Sequence, residues 1–159
     1  DTETHNLAIG RAALGGAING GEYNTAIGNF TLDALTSGDN NTAIGYNAGS
    51  GLTSGSKNTF LGENASSNAA VTGDANTVIG YNAGFALTGA TNNVIIGHLA
   101  GDALQNSSSN VIIGDNAVGV GVLTGGSNTV MGRNAGEDLT SANNNVIIGF
   151  DASKQGTSG

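Results

Sequence analysis

The side chains of this chain that could carry nucleophilic or acid–base chemistry are few and widely spaced. The 159 residues include two histidines, His5 and His98, and no cysteine. A Ser–His–acid triad needs its three groups held in one pocket, and the sequence has no Gly-x-Ser-x-Gly segment that would present a serine nucleophile. We therefore predict no nucleophilic active site.

The acidic residues are the next candidates, because two carboxylates facing one cleft can hydrolyse a glycosidic bond. The nearest sets are Glu137 with Asp138, and Asp33 with Asp102, which occupy nearly the same place in two non-adjacent repeats. We interpret these acids as solvated surface groups, and we predict that the protein is not an enzyme.

The motifs that would hold a metal or a nucleotide are incomplete. Calcium-binding solenoids repeat an aspartate after their glycines, and the pairs Gly20-Gly21 and Gly125-Gly126 lack it. The glycine-rich segment 119–125 has neither the strand–loop–helix context nor the downstream acid of a dinucleotide site. We predict no cofactor and no metal. The alternative is a cation held by an Asn or Asp ladder on the axis of an assembly.

Composition excludes two classes of partner. The formal charge is −8 with only four Lys and Arg residues, which excludes binding of nucleic acid through a basic patch. No run of apolar residues is long enough to span a bilayer, so we predict no membrane insertion. The 28 glycines and the 10% of charged residues are by themselves typical of a disordered chain, but the order of the residues contradicts that interpretation.

A five-residue box recurs at nearly constant intervals through the whole chain. It consists of Asn, a β-branched residue or Leu, two apolar residues and Gly. The boxes begin at Asn6, Asn24, Asn41, Asn58, Asn76, Asn93, Asn110, Asn128 and Asn145. They end at Gly10, Gly28, Gly45, Gly62, Gly80, Gly97, Gly114, Gly132 and Gly149.

A unit of this length, rich in Gly, Asn and Thr, is typical of one coil of a β-solenoid. We predict an all-β fold, a parallel β-solenoid or β-roll of about nine 17–18-residue coils. Each coil would contain the box strand, a tight turn at the Gly, a second short strand near a later Ala and Leu, and a polar loop. The fixed asparagines would form a ladder of side-chain amides that satisfies backbone groups between coils.

The third and fourth residues of every box are apolar, although they point to opposite sides of a strand. A single solenoid has one interior, so the other set would form a long exposed apolar stripe, and such stripes usually mark an interface. We predict that copies of the chain associate along their length. A closed three-fold arrangement suits identical rods, and the pattern also permits a dimer. The sequence leaves open which of the two positions faces the interior.

The residue after each box Gly varies between charged, polar and aromatic types, so we predict that it faces solvent. Aromatic rings beside polar groups often bind sugars by stacking. We predict that this position could contact a glycan through Tyr46, Tyr81, His98, Arg133 and Phe150. Phe85 and Asp102, further along the coil, are weaker candidates of the same kind.

Ice binding is an alternative function, because flat solenoid faces with ranked threonines can order water. The second box position holds Thr25, Thr42, Thr59, Thr77 and Thr129, but it holds Leu or Val in the other copies. Ranks of the Thr-x-Thr type are absent.

The segments Asn41-Thr-Ala-Ile-Gly-Tyr-Asn-Ala-Gly49 and Asn76-Thr-Val-Ile-Gly-Tyr-Asn-Ala-Gly84 resemble the head repeats of YadA-like trimeric autotransporter adhesins. They are still more similar to repeats in phage tail-fibre and virion proteins and in bacterial surface proteins, which often end in a self-cleaving intramolecular chaperone. The resemblance covers about residues 6–153. It implies a left-handed, homotrimeric β-roll. The period here is longer than the one typical of YadA-like heads, so we expect a larger coil outline.

The resemblance implies a structural role, as the shaft or head of a phage tail fibre or, alternatively, of a bacterial adhesin. The expected location is extracellular, on a virion or a bacterial surface. The expected partners are further copies of the chain and possible host-surface glycans. We assign residues 1–5 and 154–159 to polar tails and 6–153 to one repeat domain. Because these tails would cap a solenoid poorly, we expect the native protein to continue beyond them.

Overall fold

The computed structural model describes residues 5–68, 70–119, 123–141 and 143–153. It contains nine short strands: β1 (Leu7–Ile9), β2 (Thr25–Ile27), β3 (Thr42–Ile44), β4 (Thr59–Leu61), β5 (Thr77–Ile79), β6 (Val94–Ile96), β7 (Val111–Ile113), β8 (Thr129–Met131) and β9 (Val146–Ile148). They form one parallel sheet in chain order, and no helix occurs in the ranges just given. The predicted all-β parallel solenoid is confirmed. Coils one to nine begin at the boxes that contain β1 to β9, respectively.

Neighbouring strands pair so that equivalent box positions lie opposite one another. Thr42 pairs with Thr59, and Ala43 pairs with Phe60. Since every strand repeats this register, each box position becomes a column that runs along the solenoid. The columns of the sequence are therefore columns in space.

Glycine ends each strand for two physical reasons. Gly45 has a φ of +137°, a backbone conformation that residues other than glycine rarely adopt. A Cβ atom on Gly45 would also lie 2.6 Å from the carbonyl oxygen of Gly62 in the next coil. Coils stacked at about 4.8 Å leave no room for a side chain at this corner.

The prediction of a second strand in each coil is wrong. Among the described residues, each coil contains the box strand alone. After the box, each coil turns through residues with positive φ, as at Asn47 (59°) and Gly49 (60°). Two left-handed residues so close together break the extended geometry of a strand. Outside the box strands, β pairing among the described residues is limited to one isolated bridge between Leu52 and Val71.

The core is a narrow column of apolar side chains that come mainly from three parts of each coil, with Leu32 and Val118 added from a fourth. The third box position points inward. So do the Ala three residues after the Gly and one later apolar residue. The largest fully buried residues of these sets are Phe60, Leu35, Leu52, Leu87, Ile95, Leu104, Ile112 and Leu123.

Coil length follows a period of three. The sequence separation between successive box asparagines is 18, 17, 17, 18, 17, 17, 18 and 17, so coils one, four and seven are the longer ones. In the shorter coils, the buried apolar residue of the later turn is the twelfth, as at Leu52 and Leu87. In the long coils four and seven it is the fourteenth, Val71 and Leu123. Coils one to six therefore form two triplets, of which the first extends from Asn6 to the residue before Asn58, and coils seven and eight repeat the start of the same order.

Candidate functional site

The outward side of the nine-stranded sheet is the most extensive candidate surface. The second and fourth box positions both point away from the core, because alternate residues of a strand share a face. We call this surface the box face. The question left open by the sequence is therefore answered, since the third position is interior and the fourth is exterior. The fourth position consists of Ile9, Ile27, Ile44, Leu61, Ile79, Ile96, Ile113, Met131 and Ile148.

Solvent reaches these side chains to different degrees. Ile44 is 38% exposed and Leu61 is 42% exposed, whereas Ile79, Ile96 and Ile113 are half-buried by their neighbours. Beside them lies the second position, where Thr25, Thr42, Thr59 and Thr77 form one rank and Val94 and Val111 continue it.

The box face is uncharged throughout, since neither position contains Asp, Glu, Lys or Arg. With strands about 4.8 Å apart, it extends about 38 Å along the rod. A continuous column of exposed apolar side chains, such as the fourth position provides, is what protein–protein contacts bury.

The box asparagines form a buried ladder along one edge of the sheet. The Asn41 backbone N–H donates to Asn24 Oδ1 at 2.9 Å. The Asn41 side-chain amide donates to the same oxygen at 3.0 Å and to the Gly55 carbonyl at 2.9 Å. Asn58 in turn donates twice to Asn41 Oδ1.

From Asn41 to Asn128, each rung donates its amide hydrogens to the preceding Asn and to a turn oxygen, and its own oxygen accepts two hydrogen bonds from the next Asn. These oxygens have no lone pair left for a cation. The chemistry of the ladder is structural, because it satisfies backbone groups that the stacking of coils would otherwise bury unpaired.

A second ladder lies in the polar turns, two residues before each Asn, and sequence reasoning missed it. The Glu22 N–H donates to Asp39 Oδ1 at 2.8 Å, and the Asp39 N–H donates to Ser56 Oγ at 3.0 Å. The Ser56 N–H then donates to Asp74 Oδ1 at 2.7 Å. The signal was present in the sequence, since this position is rich in short side chains that carry an acceptor oxygen.

Four of the five residues predicted to contact a ligand form one exposed ladder with Asp115. The rings of Tyr81 and His98 stack with centroids 5.5 Å apart. His98 Nδ1 lies 2.8 Å from Asp115 Oδ1, and Arg133 Nε lies 3.4 Å from Asp115 Oδ2. Arg133 Cζ lies 5.8 Å from the centre of the Phe150 ring.

Tyr46 lies apart from this ladder and packs against Phe30, with the two rings nearly perpendicular and their centroids 5.9 Å apart. Tyr46 is 52% exposed and Tyr81 is 45% exposed. These residues make an exposed aromatic and polar row along the rod. Such a row can offer ring faces to a sugar, and the glycan contact stays a prediction.

The acids considered for catalysis belong to different parts of the rod. Asp33 and Asp102 occupy one column in coils two and six, four coil spacings or about 19 Å apart. Burial raises the pKa of both carboxyls, against the opposing effect of hydrogen bonds from nearby backbone N–H groups. Asp138 lines a shallow cavity at the C-terminal end of the rod, together with Leu139 and Ile147.

In residues 5–68, 70–119, 123–141 and 143–153, no group of three or more His, Asp and Glu residues is placed to hold a metal ion. Those ranges also contain no helix of the length and apolarity that crossing a bilayer requires.

Comparisons of the chain with protein-family models, with curated proteins and with solved structures gave no match in any of the three. The fold and its surfaces therefore define the class of protein. The chain is a parallel β-solenoid whose uncharged box face carries a continuous column of apolar side chains.

Proposed function

We propose that this chain is a structural segment of an extracellular attachment fibre, a stiff rod built from parallel copies packed along their box faces. The copies form a homotrimer of left-handed solenoids in a phage tail fibre or virion protein. A bacterial surface adhesin is the alternative setting. The role is mechanical and not enzymatic.

The observation that carries this proposal is the position of the fourth box residue. Nine Ile, Leu and Met side chains form one column on the outside of a thin solenoid, and five of them are at least 36% exposed. Removing such surface from water contributes about 25 cal/mol per Å². Association along the rod buries the entire column at once, and the uncharged box face presents no like charges to oppose it.

The test compares two adjacent residues of β6 that point to opposite sides. Ile96 faces outward, so Ile96→Asp should leave the coil folded but abolish lateral association. Ile95 is fully buried, so Ile95→Asp should prevent folding, because an unpaired carboxylate in the core costs several kcal/mol or more. The conservative variant Ile96→Val should associate like the parent chain.

The measurement is light scattering combined with circular dichroism. The parent chain should have three times the 15.5 kDa mass of one copy, and folded Ile96→Asp should have the mass of one copy. The proposal would be contradicted if the parent chain were a stable, folded monomer.

Contact with a host-surface glycan is a secondary part of the same proposal. It is supported by the exposed row that includes Tyr46 and Tyr81. We expect binding on a glycan array to be lost in the double variant Tyr46→Ala, Tyr81→Ala and to persist when both residues are replaced by Phe. If the parent chain binds no glycan on the array, the glycan part of the proposal is wrong and the role is purely mechanical.

A further inference from the structure

The row formed by the residues after the box Gly pairs its own polar groups on either side of its middle section. In coils one and two, the Arg11 N–H donates to Asn29 Oδ1 at 2.9 Å. In coils six to eight, Asp115 contacts a neighbour on both sides, since its oxygens lie 2.8 Å from His98 Nδ1 and 3.4 Å from Arg133 Nε. These polar groups are therefore already satisfied by one another along the rod.

The middle section of the row lies in coils three to five and consists of Tyr46, Glu63 and Tyr81. All three residues are exposed. Among the described residues, the Glu63 carboxylate makes no hydrogen bond and no ion pair. Its two oxygens are thus free to accept hydrogen bonds from a bound molecule.

The two tyrosines are supported from the outer sides of this middle section. Phe30 of coil two packs against Tyr46, with the rings nearly perpendicular. His98 of coil six stacks on Tyr81 with an interplanar angle of 16°. Each tyrosine therefore has a ring partner in the coil that lies away from coil four, and on the side of coil four its neighbour in the row is Glu63.

The spacing of the coils leaves room between the two tyrosines. Tyr46 and Tyr81 are two coil spacings apart, which is about 10 Å along the rod. Stacked rings in contact have their centroids at least about 4.5 Å apart, so a gap of this width accepts one ring-shaped molecule in contact with both tyrosines. We call this gap, with Glu63 at its base, the tyrosine slot.

The groups of the tyrosine slot suit a sugar ring. The C–H faces of a sugar pack on aromatic rings, and its hydroxyl groups donate to a carboxylate. Because a carboxylate has two acceptor oxygens, Glu63 can accept from two adjacent hydroxyl groups at once. Such hydrogen bonds to a charged acceptor are stronger than those between neutral groups.

The charge of the tyrosine slot selects against acidic sugars. The arginines of the row, Arg11 and Arg133, lie in coils one and eight, and Lys57 precedes β4 whereas Glu63 follows it. His98 already pairs with an aspartate of coil seven. An acidic sugar would therefore bring a second negative charge to Glu63, and the two charges would repel each other.

We propose that the tyrosine slot binds one neutral sugar residue with adjacent hydroxyl groups, stacked between Tyr46 and Tyr81 and hydrogen-bonded to Glu63. This inference rests on the glycan contact of the proposed function and narrows it from the whole row to coils three to five. Glu63 determines the specificity, because it holds the hydroxyl groups of a neutral sugar and repels an acidic one. The other three residues predicted to contact a ligand lie outside the slot.

The experiment uses an array of neutral hexose oligosaccharides, each matched with the same oligosaccharide in which one hexose is replaced by the corresponding uronic acid. We expect the parent chain to bind neutral probes at least about threefold more tightly than their acidic partners, since like charges a few ångströms apart repel even in water. Glu63→Gln should weaken binding of neutral probes about tenfold, because the acceptor loses its charge. It should also remove the preference for neutral probes.

Asp115→Asn is the matched variant, because it makes the same change from acid to amide in the same row. Asp115 lies outside the slot and is already paired with His98 and Arg133, so binding of neutral probes should equal that of the parent chain. Circular dichroism and light scattering check that both variants fold and associate like the parent.

Equal or tighter binding of the acidic probes by the parent chain would overturn this inference, as would binding of neither kind of probe. It would also be wrong if Glu63→Gln bound like the parent, or if Asp115→Asn lost as much binding as Glu63→Gln. Glycan binding that depends on Tyr46 and Tyr81 but not on Glu63 would keep the glycan contact and reject the slot. The mass measured by light scattering tests the fibre proposal independently of all these results.

Discussion

At the scale of single residues, the core is a fit between adjacent coils. Gly49 leaves a space that Phe60 of the next coil and Leu32 of the preceding coil fill. A Cβ on Gly49 would lie 2.5 Å from Phe60 Cδ2 and 2.8 Å from Leu32 Cδ2. The variation of the third box position between Ala and Phe is therefore compensated by residues in other columns.

This fit predicts that replacement by Ala lowers the free energy of unfolding by different amounts at two glycines that occupy the same position in their coils. Gly49 and Gly101 have φ values of +60° and +53°, so Ala strains both by about 1 kcal/mol. A Cβ on Gly101 would meet its nearest atoms at 3.4 Å, which the core tolerates. We expect Gly49→Ala to cost about 2–4 kcal/mol in total, since overpacking adds to the strain.

Denaturant unfolding of both variants checks this prediction. Equal decreases in the free energy of unfolding at the two positions would contradict it. They would mean that backbone strain alone destabilises both variants and that Phe60 moves aside at no energetic cost.

At the scale of the coil, the box strand and its glycine turn were predictable because nine copies sampled one local environment. The second strand was wrong because its apolar spacing resembles a strand, while the turns depend on positive φ values at residues as different as Asn47, Leu99 and Val118. The turn ladder through Asp39 and Ser56 was missed because short polar residues are also what an unstructured loop contains.

The Asn ladder gives a prediction at this scale. Asn58→Ala removes the acceptor of the Asn76 N–H and a donor to the Gly73 carbonyl. Each buried group left unpaired costs about 1–3 kcal/mol, so we expect a total loss of about 2–5 kcal/mol. Asn145→Ala is the matched control at the last rung, where Oδ1 has no partner among the described residues.

Thermal unfolding of the two variants, followed by circular dichroism, is the measurement. We expect the smaller decrease in melting temperature for Asn145→Ala. A decrease as large as that for Asn58→Ala would show that amide bonds across the ladder do not account for its stability.

At the scale of the whole molecule, the repeat length and the Gly-, Asn- and Thr-rich composition were together sufficient to predict a parallel solenoid. Which apolar position is interior could not be predicted, because Ile95 and Ile96 are chemically alike. The volume inside the coil decides it, and that volume depends on turns distant in sequence. The members of the aromatic row were named correctly as a column, but their stacking on His98 and Arg133 depends on side-chain orientation that the sequence does not encode locally.

The triplets of coils have a consequence for how such a protein can change over generations. Duplication or loss of one whole triplet joins coils whose junction already exists elsewhere in the rod. Unequal recombination within the gene could therefore alter the reach of the rod in increments of about 14 Å, with no new packing problem to solve.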